Sequence, residues 1–135
     1  MSTPIHSYEL LVLETHLDTF GHVNNAAYLQ LFEEARWQIV SDRGFGLSTI
    51  HRIKQGPTIL EVTLRFKKEI KLRQKIAIKT RIVDYSGKVG LFHQWIENEQ
   101  GENCCDAEFK IGLFDLTTRR LISPTPEWRG ALGLN

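Results

Sequence analysis

Leu17-Asp18-Thr19-Phe20-Gly21-His22-Val23-Asn24-Asn25-Ala26-Ala27-Tyr28 is the stretch from which the rest of this chain can be read. It holds one acidic side chain, Asp18, then a glycine-containing turn, then an Asn-Asn pair that opens a long amphipathic segment. Asn is a favoured N-cap residue. Beyond it Tyr28, Leu31, Phe32, Ala35 and Ile39 recur at i, i+3, i+4, i+7 and i+11. That spacing predicts a helix from Asn24 or Asn25 to Arg43, with Gly44 as its C′ residue. Leu29, Trp37 and Val40 widen the apolar surface, and a helix with so broad an apolar face is wrapped by other elements. Its free N-terminal N–H groups attract negative charge. A carboxylate a few residues upstream can face the same pocket. Such a pairing can hydrolyse an activated acyl group, and little else in the chain has comparable chemical content.

Upstream, Tyr8-Glu9-Leu10-Leu11-Val12-Leu13-Glu14 reads as a first strand. After Gly56-Pro57 the period changes from helical to two. Leu60, Val62, Leu64 and Phe66 alternate with Glu61, Thr63 and Arg65; Ile76, Ile78, Thr80 and Ile82 alternate with Ala77, Lys79 and Arg81. Val89, Leu91, His93 and Trp95 continue the pattern, though Phe92 and Ile96 add apolar weight to the other face, and Cys105, Ala107, Phe109, Ile111 and Leu113 repeat it. Asp84-Tyr85-Ser86-Gly87-Lys88 and Asn98-Glu99-Gln100-Gly101-Glu102-Asn103 have the composition of hairpin turns. Ser123-Pro124-Thr125-Pro126-Glu127 closes the last strand, and a short terminal turn or helix carries Trp128. The predicted order is one strand, one helix, then four strands. A helix of about 19 residues spans roughly 28 Å, and strands of about ten residues span roughly 33 Å. The expected fold is therefore α+β, one long central helix wrapped by a curved five-stranded antiparallel sheet. Exposed sheet edges invite pairing, so dimerisation is expected.

Length and composition bound the remaining classes. The 135 residues fit a single domain over 1–135, with 41% hydrophobic and 24% charged residues. A net charge of +1 does not favour a nucleic-acid partner. No stretch approaches the roughly 20 apolar residues of a membrane span, and Met1-Ser2-Thr3-Pro4 does not open a secretory signal. A cytoplasmic protein is expected. Cys104 and Cys105 are adjacent, point to opposite faces of a strand, and lack zinc spacing. His6, His16, His22, His51 and His93 show no metal spacing, Gly44-Phe45-Gly46 follows a helix instead of opening one, and no Gly-x-Ser-x-Gly elbow occurs.

The element order and the opening segment resemble the hotdog-fold thioesterases, specifically the 4-hydroxybenzoyl-CoA thioesterase-like acyl-CoA hydrolases. In that family an Asp follows the first strand, a Gly comes next, and a Tyr lies on the helix ten residues beyond the Asp. Asp18, Gly21 and Tyr28 match that spacing, and Phe32-Glu33-Glu34-Ala35-Arg36 looks like the family's helix. His22-Val23-Asn24-Asn25-Ala26-Ala27-Tyr28 is also similar to the acyl-ACP thioesterases, which share the fold. Those enzymes carry a catalytic Asn two residues before the His, where this chain has Phe20.

The resemblance implies hydrolysis of an acyl-CoA thioester without cofactor or metal, in a homodimer or a dimer of dimers with sites at the dimer interface. An acyl-ACP substrate, or a non-catalytic acyl-binding protein of the same fold, are the alternatives. Asp18 is the implied catalytic group, ionised at neutral pH and able to act as general base or as nucleophile; its other reading is a turn cap. Family spacing places the oxyanion donor at the backbone N–H of Asn25, with Asn24 as the alternative position. His22 either handles a proton near the leaving thiolate or orients the loop. Tyr28 and Gly21 are implied substrate contacts, though an aromatic at helical spacing also packs. Glu33 can pair with Arg36 at i, i+3. The basic run Arg65 to Lys75, with Lys67 and Lys68 at its centre, is either a receiver for CoA phosphates or a solvated strand end.

Overall fold

The computed structural model describes residues 3–134. Its elements are β1 (Ile5–Leu11), α1 (Asn25–Ser41), α2 (Leu47–Ile53), β2 (Gln55–Phe66), β3 (Lys75–Asp84), β4 (Val89–Glu97), β5 (Asn103–Asp115), β6 (Arg120–Ile122) and α3 (Pro126–Ala131). The strands form one antiparallel sheet in the order β1-β3-β4-β5-β2, with β6 paired to the end of β5. β1 and β2 are therefore the two edges. The β3–β4 and β4–β5 connections are the hairpins expected from composition.

Several boundaries differ from expectation. The first strand begins at Ile5 and ends at Leu11, and a 3-10 turn follows at Glu14–His16. The long helix has 17 residues and stops at Ser41; Gly44 lies beyond its last turn with φ +83°. α2 and β6 were not expected. Both are too short for a period to register, which raises the strand count from five to six. Leu60 does not belong to the apolar row of β2. A bulge falls between Ile59 and Glu61, so Ile59, Val62, Leu64 and Phe66 stand opposite Ile111, Phe109, Ala107 and Cys105 on the helix side of the sheet.

The helix backbone runs closest to β3 and β1, towards one side of the sheet instead of over its centre. Its buried residues Ala27, Tyr28, Leu31, Phe32, Ala35, Ile39 and Val40 form the core with the inward rows of β3, β4 and β5. Phe32 meets Phe109 edge-on at 5.9 Å. A buried polar chain locks the two layers together. Gln94, fully buried on β4, donates through Nε2 to Phe32 O on α1 (3.1 Å) and to Thr80 Oγ1 on β3 (2.9 Å). Its Oε1 accepts from Arg36 Nη1 at 2.8 Å. The Arg36 guanidinium lies 4.3 Å over the Phe109 ring. Desolvation lowers its pKa to about 10, against the opposing pull of Glu33.

At the other edge β2 is bare on its helix side. Ile59, Val62 and Phe66 remain exposed although they point inwards, and Leu29 and Trp37 on α1 are exposed as well. The inner face of the edge strand thus presents open apolar surface. Cys104 and Cys105 are both buried free thiols. Burial pushes the Cys105 pKa up to about 12 and raises that of Cys104. No helix of the described residues is long and apolar enough to cross a membrane.

Candidate active site

The Asp18 segment folds back on itself before α1 begins. Asp18 N donates to His22 O at 2.8 Å, and Gly21 N donates to Asp18 O at 3.2 Å. Gly21 sits at φ +83°, a conformation that favours glycine, so its contribution is to the turn. The carboxylate closes the same turn. Asp18 Oδ1 accepts from Phe20 N (2.8 Å) and His22 N (3.2 Å), whereas Oδ2 has no hydrogen-bond partner among the described residues. Turn cap and free carboxylate oxygen coexist in one side chain. Phe20 stands 84% exposed at the tip of the turn, away from the cleft.

Helix α1 starts directly after this turn. Asn24 is the N-cap, its Oδ1 accepting from Ala26 N at 2.8 Å, while its backbone O accepts from Ala27 N and Tyr28 N. Asn25 is the first helical residue, and its N–H meets no acceptor among the described residues. That leaves an unpaired donor at the positive end of the helix, the property an oxyanion site requires.

A cleft of about 450 Å³ brings together Asp18, His22, Asn25, Tyr28, Phe66 and Glu69. Four of these come from one stretch of sequence. Phe66 and Glu69 arrive from β2 and the loop after it. Tyr28 is buried and packs edge-on against Phe66, with ring centroids 5.1 Å apart. Desolvation is the largest cause raising its pKa to about 12, followed by the neighbouring Cys105, Cys104 and Asp18. Packing residue and cleft wall are therefore the same residue. His22 Nε2 lies 3.0 Å from Glu69 Oε2. This carboxylate was not anticipated; the one visible trace of it is a single acid inside the basic run 65–75.

Lys67 and Lys68 do not line the cleft. Their backbone N–H groups donate to Cys104 O, and Lys68 Nζ is 2.7 Å from Glu102. Most of the basic run is paired: Arg65 with Glu108, Lys71 with Glu69, Arg73 with Glu14. Glu33 lies instead at a second cavity, apolar and about 60 Å³, formed with Arg36, Trp37, Pro57, Ile59 and Trp128. Among the described residues no group of three or more His, Cys, Asp or Glu is placed to hold a metal ion.

Residues 12–132 match the family model of the thioesterase-like superfamily. The chain is 30% identical over 119 residues to the long-chain acyl-CoA thioesterase FadM of Escherichia coli, covering 87% of this chain and 89% of FadM. It is 31% identical over 77 residues to the chloroplastic acyl-acyl carrier protein thioesterase ATL3 of Arabidopsis thaliana, covering 57% of this chain and 40% of ATL3. Among solved structures, the probable thioesterase YbaW of Escherichia coli superposes with a TM-score of 0.81 at 26% identity, covering 94% of this chain and 96% of its own. A Staphylococcus aureus protein solved in complex with CoA shares the fold, with a TM-score of 0.88 at 17% identity over 98% of this chain and 84% of its own.

Proposed function

Because this chain belongs to the thioesterase-like superfamily, we propose that it hydrolyses acyl-CoA thioesters to free acid and CoA at the Asp18 cleft. The observation that carries this reading is the division of labour at Asp18: Oδ1 is held by two N–H groups while Oδ2 is open. The free Asn25 N–H at the start of α1 shares the cleft. Asp18 Oδ2 takes a proton from water as the water oxygen attacks the thioester carbonyl, or attacks that carbon itself. In both routes the carbonyl oxygen becomes negative, and Asn25 N–H faces it; one such donor lowers the barrier by about 3–4 kcal/mol. Hydrolysis in 18O-labelled water separates the routes, since label enters Asp18 only through a mixed anhydride.

The acyl group we assign is a medium to long unbranched chain, lying between α1 and β2. From Tyr28 to Trp37 the helix advances about 13 Å, from the Asp18 cleft walled by Tyr28 and Phe66 to the apolar cavity walled by Trp37 and Ile59. The similarity to a long-chain acyl-CoA thioesterase supports the same class. CoA is favoured over a carrier protein by the likeness to the acyl-CoA thioesterase FadM, which extends over 87% of this chain, against 57% for the acyl-acyl carrier protein thioesterase ATL3.

A homodimer joined along β2 would cover that bare inner face, using an edge strand of 12 residues whose apolar side chains are exposed. The decisive experiment is thiol release from acyl-CoA thioesters of increasing chain length by the wild type and Asp18→Asn. The expected result is rates that rise with chain length and fall at least about a hundredfold in the variant. A folded Asp18→Asn protein with unchanged rates would overturn the assignment. A folded wild type inactive on every thioester would point to a non-catalytic acyl-binding role.

A further inference from the structure

We propose that Glu69 is a positioning residue for this hydrolysis, acting through His22; the inference rests on the Asp18 assignment above. The two side chains meet through main-chain contacts. His22 and Lys71 form an isolated antiparallel bridge, and Val23 N donates to Ile70 O at 2.9 Å. These contacts lay the 69–71 segment alongside the Asp18 turn and bring the half-exposed carboxylate within reach of the imidazole. Glu69 Oε2 is 3.0 Å from His22 Nε2, and Oε1 is 3.3 Å from Lys71 Nζ. His22 Nδ1 has no partner among the described residues. The charged or titratable groups around the pair are Asp18 on the turn, Tyr28 on α1 and Lys71 on the facing segment.

A carboxylate on one ring nitrogen orients the ring and leaves the other nitrogen for the substrate. In that arrangement Nε2–H is held by Glu69 and Nδ1–H is left for the substrate. As water bonds to the carbonyl carbon, its proton passes to Asp18 Oδ2. As the C–S bond breaks, the electron pair remains on sulfur and the Nδ1 proton moves to it. The neutral ring regains a proton from solvent while Asp18 releases one. The balance is thioester plus water to acid plus thiol.

The test compares two thioesters of one acyl group: dodecanoyl-CoA, and the dodecanoyl ester of an acidic aryl thiol that departs without a proton. Glu69→Gln is expected to slow dodecanoyl-CoA about tenfold and the aryl thioester less than about twofold. Adding Glu69→Gln to His22→Ala should cost nothing further, and Glu69→Asp should restore most of the rate. Equal slowing of both thioesters, no recovery in Glu69→Asp, or a further loss in the double variant would overturn the proposal. If Glu69→Gln loses its native circular dichroism, His22→Gln carries the same two-thioester comparison. Asp18→Asn should be slow on both thioesters, so failure of the Glu69 result would leave the Asp18 assignment standing.

Discussion

Asp18 Oδ1 accepts two backbone N–H groups that an Asn amide oxygen can accept equally well. Asp18→Asn should therefore unfold at the wild-type midpoint in urea, whereas Asp18→Ala should lose about 1 kcal/mol with the turn. Activity and stability would then separate in one variant and fall together in the other. The local part of the site was legible because its chemistry is local. Asp18, His22, Asn25 and Tyr28 lie within one turn and the first turn of a helix, so spacing alone places them together. Glu69 was not legible. It reaches His22 only because backbone pairing brings the 69–71 segment beside the turn, and no periodicity encodes that meeting. The charge density around Lys67 and Lys68 is visible in sequence, whereas the carboxylates that pair with Arg65, Lys68 and Lys71 are not, being scattered along the chain.

Between elements, Gln94 ties helix to sheet. In sequence it lies off the row of Val89, Leu91, His93 and Trp95, yet the structure buries the opposite row, Gly90, Phe92, Gln94 and Ile96, and Gln94 joins α1, β3 and Arg36 through three hydrogen bonds in the core. Gln94→Leu would leave the Arg36 guanidinium without that acceptor. Chemical denaturation should show a loss of about 2–3 kcal/mol, larger than for an ordinary polar-to-apolar change. The long helix and the hairpins were readable because each spans several periods or carries its own turn chemistry. α2 and β6, with seven and three residues, fall below that limit. The bulge at Leu60 was also invisible: alternation predicts a face but not where a strand inserts an extra residue.

Considered whole, the molecule is lopsided. One sheet edge is covered on its inner face by α1, and the other presents Ile59, Val62 and Phe66 to solvent. If β2 joins two copies, Val62→Lys should leave a folded monomer in light scattering, because a cation there faces apolar surface that pairing would dehydrate. A wild-type protein that is itself monomeric would refute the pairing. The sequence carried the expectation of an edge-paired dimer but not which strand would be left bare. The two cysteines bear on how such measurements can be made. Cys104 and Cys105 are shut away, with thiols that resist ionising at neutral pH. A chromogenic disulfide dye should thus remain blind to the folded protein, so that every absorbance change in an assay counts a CoA molecule set free. A slow rise in a blank without substrate would instead time the opening of the protein itself.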